Sequence, residues 1–406
     1  MEYELLSKLY YRDREKFEEE YEYRTDERVG VLLGFDINDY EAFYYNTPQF
    51  LSIIPRIYQK YADFNSVCAA LPGVAYAFYQ KNCLIDEIII TNDIEGIHST
   101  RREIIEIIDT NYDVTKKKRF AGLVHKYLTL LDEGNYEIEL NRCDDIRQIY
   151  DDMVLDEIDE KDWPDGQFFR REIAVVVSGT QQVKHTGVYP EGKIIEYMNR
   201  LMSIAKDERI PALFRIAIVH YMFGYIHPFY DGNGRMSRFL SSYLLKKEFN
   251  PLVALRLSYS IKENKKAYYD VFDTCNSVNN RGDLTPFIVY FLDTIEKSID
   301  SLMEKVKTGK EKLDIIGNLL KKKYGGEELT VKRKRRTLWY LAQNALFSNE
   351  YFDRNSLAHF LGVSTVTANT YIKELINEGA PIKIEKEGNK YIFIVSSDEL
   401  YDFLYN

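Results

Sequence analysis

Residues 212–226 (ALFRIAIVHYMFGYI) are apolar almost all round, with no polar stripe wide enough to face water. That pattern marks a central helix buried on every side, which exists only inside a shell of other elements. Pro211 stands where such a helix begins, and His227-Pro228 ends it, because the residue before a proline avoids the helical region. The stretch from Leu213 to Phe229 contains Arg215, His220 and His227 and is too short to span a bilayer. A glycine-rich loop follows, and the pattern resumes as a helix over about 234–247.

The rest of the chain supplies that shell. Residues 49–110 read as helical, with Cys83 to Ile90 continuing one helix towards Glu95-Gly96, where the glycine is a stop. Ser99-Thr100-Arg101-Arg102-Glu103 resembles a capping sequence ahead of Ile104 to Ile108. Residues 120–160 are again helical, until Trp163-Pro164-Asp165-Gly166 breaks the pattern. Ile173 to Val177 is β-rich, Ser178-Gly179-Thr180 is a turn, and Val183 to Tyr189 returns as a second strand. This is the one hairpin expected in the first 300 residues, and a lone hairpin must lie against helices. Further helices are expected over 262–275 and 285–305.

The predicted class is therefore mainly α. The expected division is an N-terminal helical region (1–120), a core (121–305), a Lys/Arg-rich helical linker with Gly325-Gly326 (306–335) and a C-terminal α+β domain (336–406). In that last domain, helices at about 336–347 and 354–361 precede Gly362-Val363-Ser364. A helix at 365–378 follows and stops at Gly379-Ala380-Pro381, and strands at 382–386 and 390–395 flank Glu387-Gly388-Asn389.

Composition narrows the class of function. The chain has 406 residues, 45% of them apolar, which suits two or three domains and excludes collagen and low-complexity disorder. Its 54 Lys and Arg against 64 Asp and Glu give a net charge of −10, unsuited to a whole-protein grip on nucleic acid or an anionic membrane. The four cysteines, Cys68, Cys83, Cys143 and Cys275, form no C-x-x-C pair. The chain opens Met1-Glu2-Tyr3-Glu4 without a basic region and apolar run, so a cytoplasmic location without membrane contact is expected.

The chemistry concentrates in His227-Pro228-Phe229-Tyr230-Asp231-Gly232-Asn233-Gly234-Arg235-Met236-Ser237-Arg238. A buried helix delivers a histidine to a loop whose Gly-Asn-Gly backbone can approach a ligand closely. The helix that follows offers free N–H groups and a positive dipole end, an anion site. Arg235 and Arg238 lie i, i+3 near that end and suit a polyphosphate. Asp231 is a hard oxygen ligand suited to Mg²⁺ beside phosphates, and His227 is a general base. Together they suit attack of a hydroxyl on a nucleotide phosphate.

This string resembles the signature of the Fic family (filamentation induced by cyclic AMP), His-Pro-Phe-x-Asp/Glu-Gly-Asn-Gly-Arg-x-x-Arg, at every specified position. The resemblance covers roughly residues 85–300. It implies a helical Fic fold and transfer of a nucleoside monophosphate, usually AMP from ATP, to a protein Ser, Thr or Tyr hydroxyl. In that reading His227 deprotonates the hydroxyl and Asp231 holds Mg²⁺ against the α and β phosphates. Asn233 and the backbone from Gly232 through Gly234 to Arg235 form the anion hole, Arg235 and Arg238 hold phosphates, and Phe229 packs into the core. Relatives that transfer phosphate instead carry lysine at the second glycine, so Gly234 argues against that activity. Tyr268-Tyr269 and Asn276 match the family's nucleotide-pocket residues at the same spacing. Thr186, Gly187, Val188 and Tyr189 fall in the part of the hairpin that resembles the family's flap, whose open edge could hold a target's backbone. Gly166 to Arg170 resembles the family's Gly-x-x-Arg, here with one residue more between the two.

Thr91-Asn92-Asp93-Ile94-Glu95-Gly96 matches the family's inhibitory pattern, Ser/Thr-x-x-x-Glu-Gly/Asn. The resemblance implies that Glu95 pairs with Arg238 in the place of the γ-phosphate, with Thr91 steadying the same helix. His220, on the buried helix, is expected to be a hydrogen-bonded core residue. Residues 353–395 look like a winged helix, with 365–378 as recognition helix and 382–395 as wing. Lys332 to Arg336, with Lys383, Lys386 and Lys390, could contact DNA phosphates. From Val331 onward, however, 10 Lys and Arg face 9 Asp and Glu, a balance that suits protein docking or homodimerisation better than DNA. Three alternatives stand beside a self-restrained AMP transferase: a nucleotide-sensing winged-helix transcriptional regulator, transfer of UMP or GMP, and removal of AMP. An intact His227 favours an enzyme over a sensor.

Overall fold

The computed structural model describes residues 3–109, 118–132, 137–177, 183–348, 352, 354–387 and 390–405. It divides into two units, Met1–Tyr61 with Leu84–Ile299 and Ala62–Cys83 with Asp300–Asn406. The expected class holds: helices dominate, and the named strands form three two-stranded sheets.

In the first unit the helix Ala212–Ile226 sits at the centre, its Leu213, Phe214, Ile218, His220, Tyr221 and Phe223 buried. Three kinds of neighbour cover it. The helix Glu191–Lys206 packs along one side and the helix Asn233–Glu248 along another. Aromatic rings close the rest: Phe214 meets Tyr44 and Phe50 with centroids 5.3 and 4.5 Å away, and Tyr221 stacks on Phe272 at 5.4 Å. Pro211 is the residue just before the helix, as expected.

Residues 30–45 hold a hairpin that the reading of the sequence did not anticipate, Gly30–Ile37 paired antiparallel with Tyr40–Tyr45. Its turn is Asn38-Asp39, with both residues at positive φ (49° and 67°), the twist that two-residue hairpins need and that Asn and Asp tolerate. Burial alternates along the first strand. The second strand is tied to the loop before the helix Thr285–Lys323, since Phe43 N donates to Gly282 O and Leu284 N donates to Phe43 O. Beside it Arg24 donates to Asp283 at 3.0 Å, buried between the rings of Tyr3 and Tyr45.

The hairpin expected over 173–189 is Val175–Val177 with Val183–Thr186. The predicted turn at 178–180 lies outside the described residues. The second strand ends at Thr186, short of Tyr189: Gly187 N still donates to Ala174 O across the hairpin, but Val188 N donates to Ile226 O instead.

In the second unit the helix begun at Thr285 runs on to Lys323, well past 305, with Leu302, Val306, Leu313, Ile316 and Leu320 forming a buried stripe at helical spacing. The helix Leu329–Phe347 likewise begins earlier than expected. Arg354–Leu361 and Thr365–Asn377 follow, joined through Gly362 at φ 69°, with the Ser364 hydroxyl accepting from Thr367 N. Strands Ile382–Glu387 and Lys390–Val395 pair in register, and an unforeseen helix, Ser397–Tyr405, closes the unit. Among the described residues no helix is long and apolar enough to cross a membrane.

Candidate functional site

The buried helix ends at Ile226 because His227 turns to φ 51°, ψ 61°, while its N–H still caps Phe223 O at 3.0 Å. Proline at 228 forbids another turn. The loop is then anchored from inside. Phe229 is fully buried and stacks on Tyr150 with ring centroids 3.7 Å apart. Asn233 clasps the same residue, its Oδ1 accepting from Phe229 N at 3.0 Å and its Nδ2 donating to Phe229 O at 2.8 Å. The Asn233 amide is thereby committed to shaping the loop. Gly232, at φ 79°, lies where a Cβ would press on Tyr150 and Val154, so glycine is required there twice over. Asp231 stays exposed, with Oδ1 accepting from Gly232 N at 2.5 Å.

The helix Asn233–Glu248 carries both arginines, and they diverge. Arg238 is buried and turns to the helix Gly73–Ile94: Nε donates to Thr91 Oγ1 at 2.7 Å and Nη2 to Thr91 O at 2.9 Å. Its Nη2 also pairs with Glu95 Oε1 at 2.7 Å. Arg235 turns the other way, with Nη1 donating to Glu157 Oε2 at 2.7 Å. Its Nε and Nη2 are buried and have no hydrogen-bond partner among the described residues. Glu95 stands just beyond the end of its helix, where Gly96 adopts φ 74° and Ile97 N returns to Asn92 O. The carboxylate rests on Gly234, in space that any side chain there would claim. Burial raises the Glu95 carboxyl, but the Arg238 charge and hydrogen bond outweigh it and hold the group below the usual carboxylate range.

Part of this set lines one cavity of about 660 Å³. His227, Glu95, Gly96, Asn233, Gly234, Arg238, Tyr268, Tyr269 and Asn276 line it. Thr91, Asp231, Gly232, Arg235 and the flap residues Thr186 to Tyr189 are not among its lining. Burial pushes His227 down to about 4, helped by His185 and Arg170 and opposed by Glu95, so the imidazole is unprotonated at neutral pH. Tyr268 is a buried wall whose hydroxyl meets His220 Nε2 at 2.9 Å, with Ser241 Oγ 2.8 Å from the other ring nitrogen; His220 is the core residue expected. Tyr269 is 43% exposed at the rim. Asn276 Oδ1 accepts from Tyr221 at 2.6 Å, which leaves its amide N–H groups for a ligand.

Three residues at the site were missed from sequence. Lys265 lines the cavity and donates to Ile94 O at 2.9 Å, capping the helix that ends in Glu95. Its one available signal is its position four residues before Tyr269. Glu157, the partner of Arg235, gives no signal in a run rich in acids. Arg170 was noted only as part of a string, and its role depends on contacts 57 residues away.

The Fic/DOC family pattern matches residues 140–245. The protein adenylyltransferase Fic of Aedes aegypti is 38% identical over 84 residues, 21% of this chain and 15% of that protein. The protein of the same name from Drosophila mojavensis is 31% identical over 192 residues, 46% of this chain. The matched segments thus span 15% and 32% of these relatives' own lengths. The crystal structure of a Fic family protein from Desulfovibrio desulfuricans G20 shares the fold with a TM-score of 0.53 at 20% identity, covering 87% of this chain and 97% of that one. Signature loop and family pattern agree, and residues 140–245 are a Fic/DOC family domain.

Proposed function

We propose that this chain is a nucleotidyltransferase that moves AMP from ATP to a Ser, Thr or Tyr hydroxyl of a protein, and that Glu95 restrains it. The observation that carries the reading is the Glu95–Arg238 pair, 2.7 Å long, inside the cavity lined by His227. A polyphosphate at this helix N-terminus needs Arg238, so Glu95 competes with its terminal phosphate. The two unpartnered nitrogens of Arg235 support an anionic ligand from the other side.

In the reaction the target's hydroxyl oxygen attacks the α-phosphorus and its proton passes to neutral His227. The bond from the α-phosphorus to the bridging oxygen breaks, and pyrophosphate leaves with the electron pair. Asp231 fits Mg²⁺: one carboxylate oxygen is held by Gly232 N and the other has no partner among the described residues. A single carboxylate is what this ion takes when phosphates supply most other ligands, and once bound it would offset their charge. Among the described residues no group of three or more His, Cys, Asp or Glu could hold a metal without them.

The C-terminal helices and hairpin fit a winged helix used for docking. Arg333 and Lys334 are paired with Glu374 and Glu378 of the helix that would read DNA, which leaves little charge for phosphates. The test of the main reading is intact mass spectrometry of the Glu95→Gly protein after incubation with Mg²⁺ and ATP. A gain of one AMP on the protein or an added target supports it. Bound nucleotide with no covalent gain on any protein refutes it.

A further inference from the structure

Arg170 is completely buried, and among the described residues every hydrogen bond from its guanidinium goes to a neutral backbone carbonyl. Nε donates to His227 O at 2.8 Å, Nη1 to Glu172 O at 2.6 Å, and Nη2 to both Val188 O at 2.8 Å and Ile226 O at 3.3 Å. Its own backbone N donates to Pro228 O at 3.2 Å. Ile226, His227 and Pro228 are therefore all held by one residue, and Val188 of the flap by the same guanidinium.

A cation sealed in without a counter-ion is unfavourable, and an apolar side chain would fill that space at lower cost. The arrangement persists because the planar fork satisfies four carbonyls at once, two of them (Ile226 and His227) at a backbone turn that a non-glycine residue adopts reluctantly. It also explains Gly187. A Cβ there would strike Arg170 Nη2 and His227 Cβ, so the flap crosses the guanidinium at a glycine.

We propose that Arg170 is a positioning residue that holds His227 in its left-handed conformation and locks the flap to it, so that base and target-facing strand keep one geometry. The proposal rests on the transferase reading of the site. The charged and titratable groups facing His227 are Arg170, His185 of the flap and Glu95 of the inhibitory helix. Of these only Arg170 carries a fixed positive charge, and it favours the neutral imidazole.

The test compares Arg170→Lys, Arg170→Gln and Gly187→Ala, each in the Glu95→Gly protein. Four quantities are read: melting temperature, Mg²⁺·ATP Kd, kcat for AMP transfer, and the His227 imidazole pKa by NMR, assigned against His227→Ala. Arg170→Lys keeps the charge but loses the fork, and Gly187→Ala displaces the guanidinium without removing it. Both are expected to lower kcat roughly tenfold or more with Kd unchanged within about twofold. Arg170→Gln is expected to raise the imidazole pKa by about one unit, a change that Arg170→Lys does not produce. Unchanged kcat in both folded variants, or an imidazole pKa indifferent to Arg170→Gln, overturns the proposal. If the Glu95→Gly parent transfers nothing, the transferase reading fails separately, and the NMR titration still decides whether Arg170 acts on His227.

Discussion

Replacing Glu95 by glycine is expected to tighten Mg²⁺·ATP binding by one to two orders of magnitude. The bond at stake joins Arg238, 1% exposed, to a carboxylate that is 30% exposed, over 2.7 Å. A charge-assisted hydrogen bond of this kind contributes about 1.5–3 kcal/mol. ATP must break it to use Arg238, and each 1.4 kcal/mol is roughly a factor of ten, so relief amounts to about 10- to 150-fold. The partial exposure of Glu95 places the expectation in the lower half of that range. The fold should tolerate the change, since Arg238 keeps its two bonds to Thr91 and residue 95 lies past the helix end. Calorimetric titration with an α,β-non-hydrolysable ATP analogue reads the affinity directly. A Kd within about threefold of wild type, with an unchanged melting temperature, would refute the competition between Glu95 and the terminal phosphate.

Other perturbations probe the neighbours. Lys265→Ala removes the donor to Ile94 O and loosens the end of the helix that leads to Glu95; a net hydrogen bond of about 1 kcal/mol predicts roughly fivefold more transfer by the otherwise wild-type protein. No change in transfer rate would deny Lys265 that part. Glu87, on the same helix, is pushed up to about 7 by burial, against the pull of Ser258, Arg238 and Arg256. A raised carboxyl contributes stability that is present below its unfolded value near 4.5 and lost as pH rises through 7. Glu87→Gln should therefore raise the melting temperature at pH 8, by the equivalent of roughly 3 kcal/mol, and change it little at pH 5; equal effects at both pH values would contradict this. Glu374→Gln with Glu378→Gln frees Arg333 and Lys334, and salt-sensitive binding to random DNA is expected only in that variant. Gel shifts of equal strength with wild type would restore DNA as a partner.

The site was legible wherever chemistry is carried by adjacent residues. Pro228 fixes the end of the buried helix, Gly232 and Gly96 sit at positive φ, and Glu103 returns to Thr100 N at 2.8 Å as the capping string suggested. It was illegible wherever a role depends on a distant partner. Lys265 and Ile94 are 171 residues apart, and Arg235 finds Glu157 across 78. The i, i+3 spacing of Arg235 and Arg238 placed both at one helix end but could not reveal that they face different acids. The hairpin at 30–45 escaped notice because its turn uses Asn-Asp rather than a glycine. The sequence reads 306–335 as a helical linker; its lysine-rich solvent face hides the buried stripe from Leu302 to Leu320 that makes Thr285–Lys323 one helix.

The central claim is that His227 transfers AMP and that Glu95 prevents it. Label transfer from α-labelled ATP with Mg²⁺ in whole-cell lysate tests both halves, using wild type, Glu95→Gly and Glu95→Gly/His227→Ala. The account predicts labelled bands with Glu95→Gly, few or none with wild type, and none with the double variant although it still binds nucleotide. Bands of equal strength from wild type and Glu95→Gly, or bands that survive loss of His227, would contradict it.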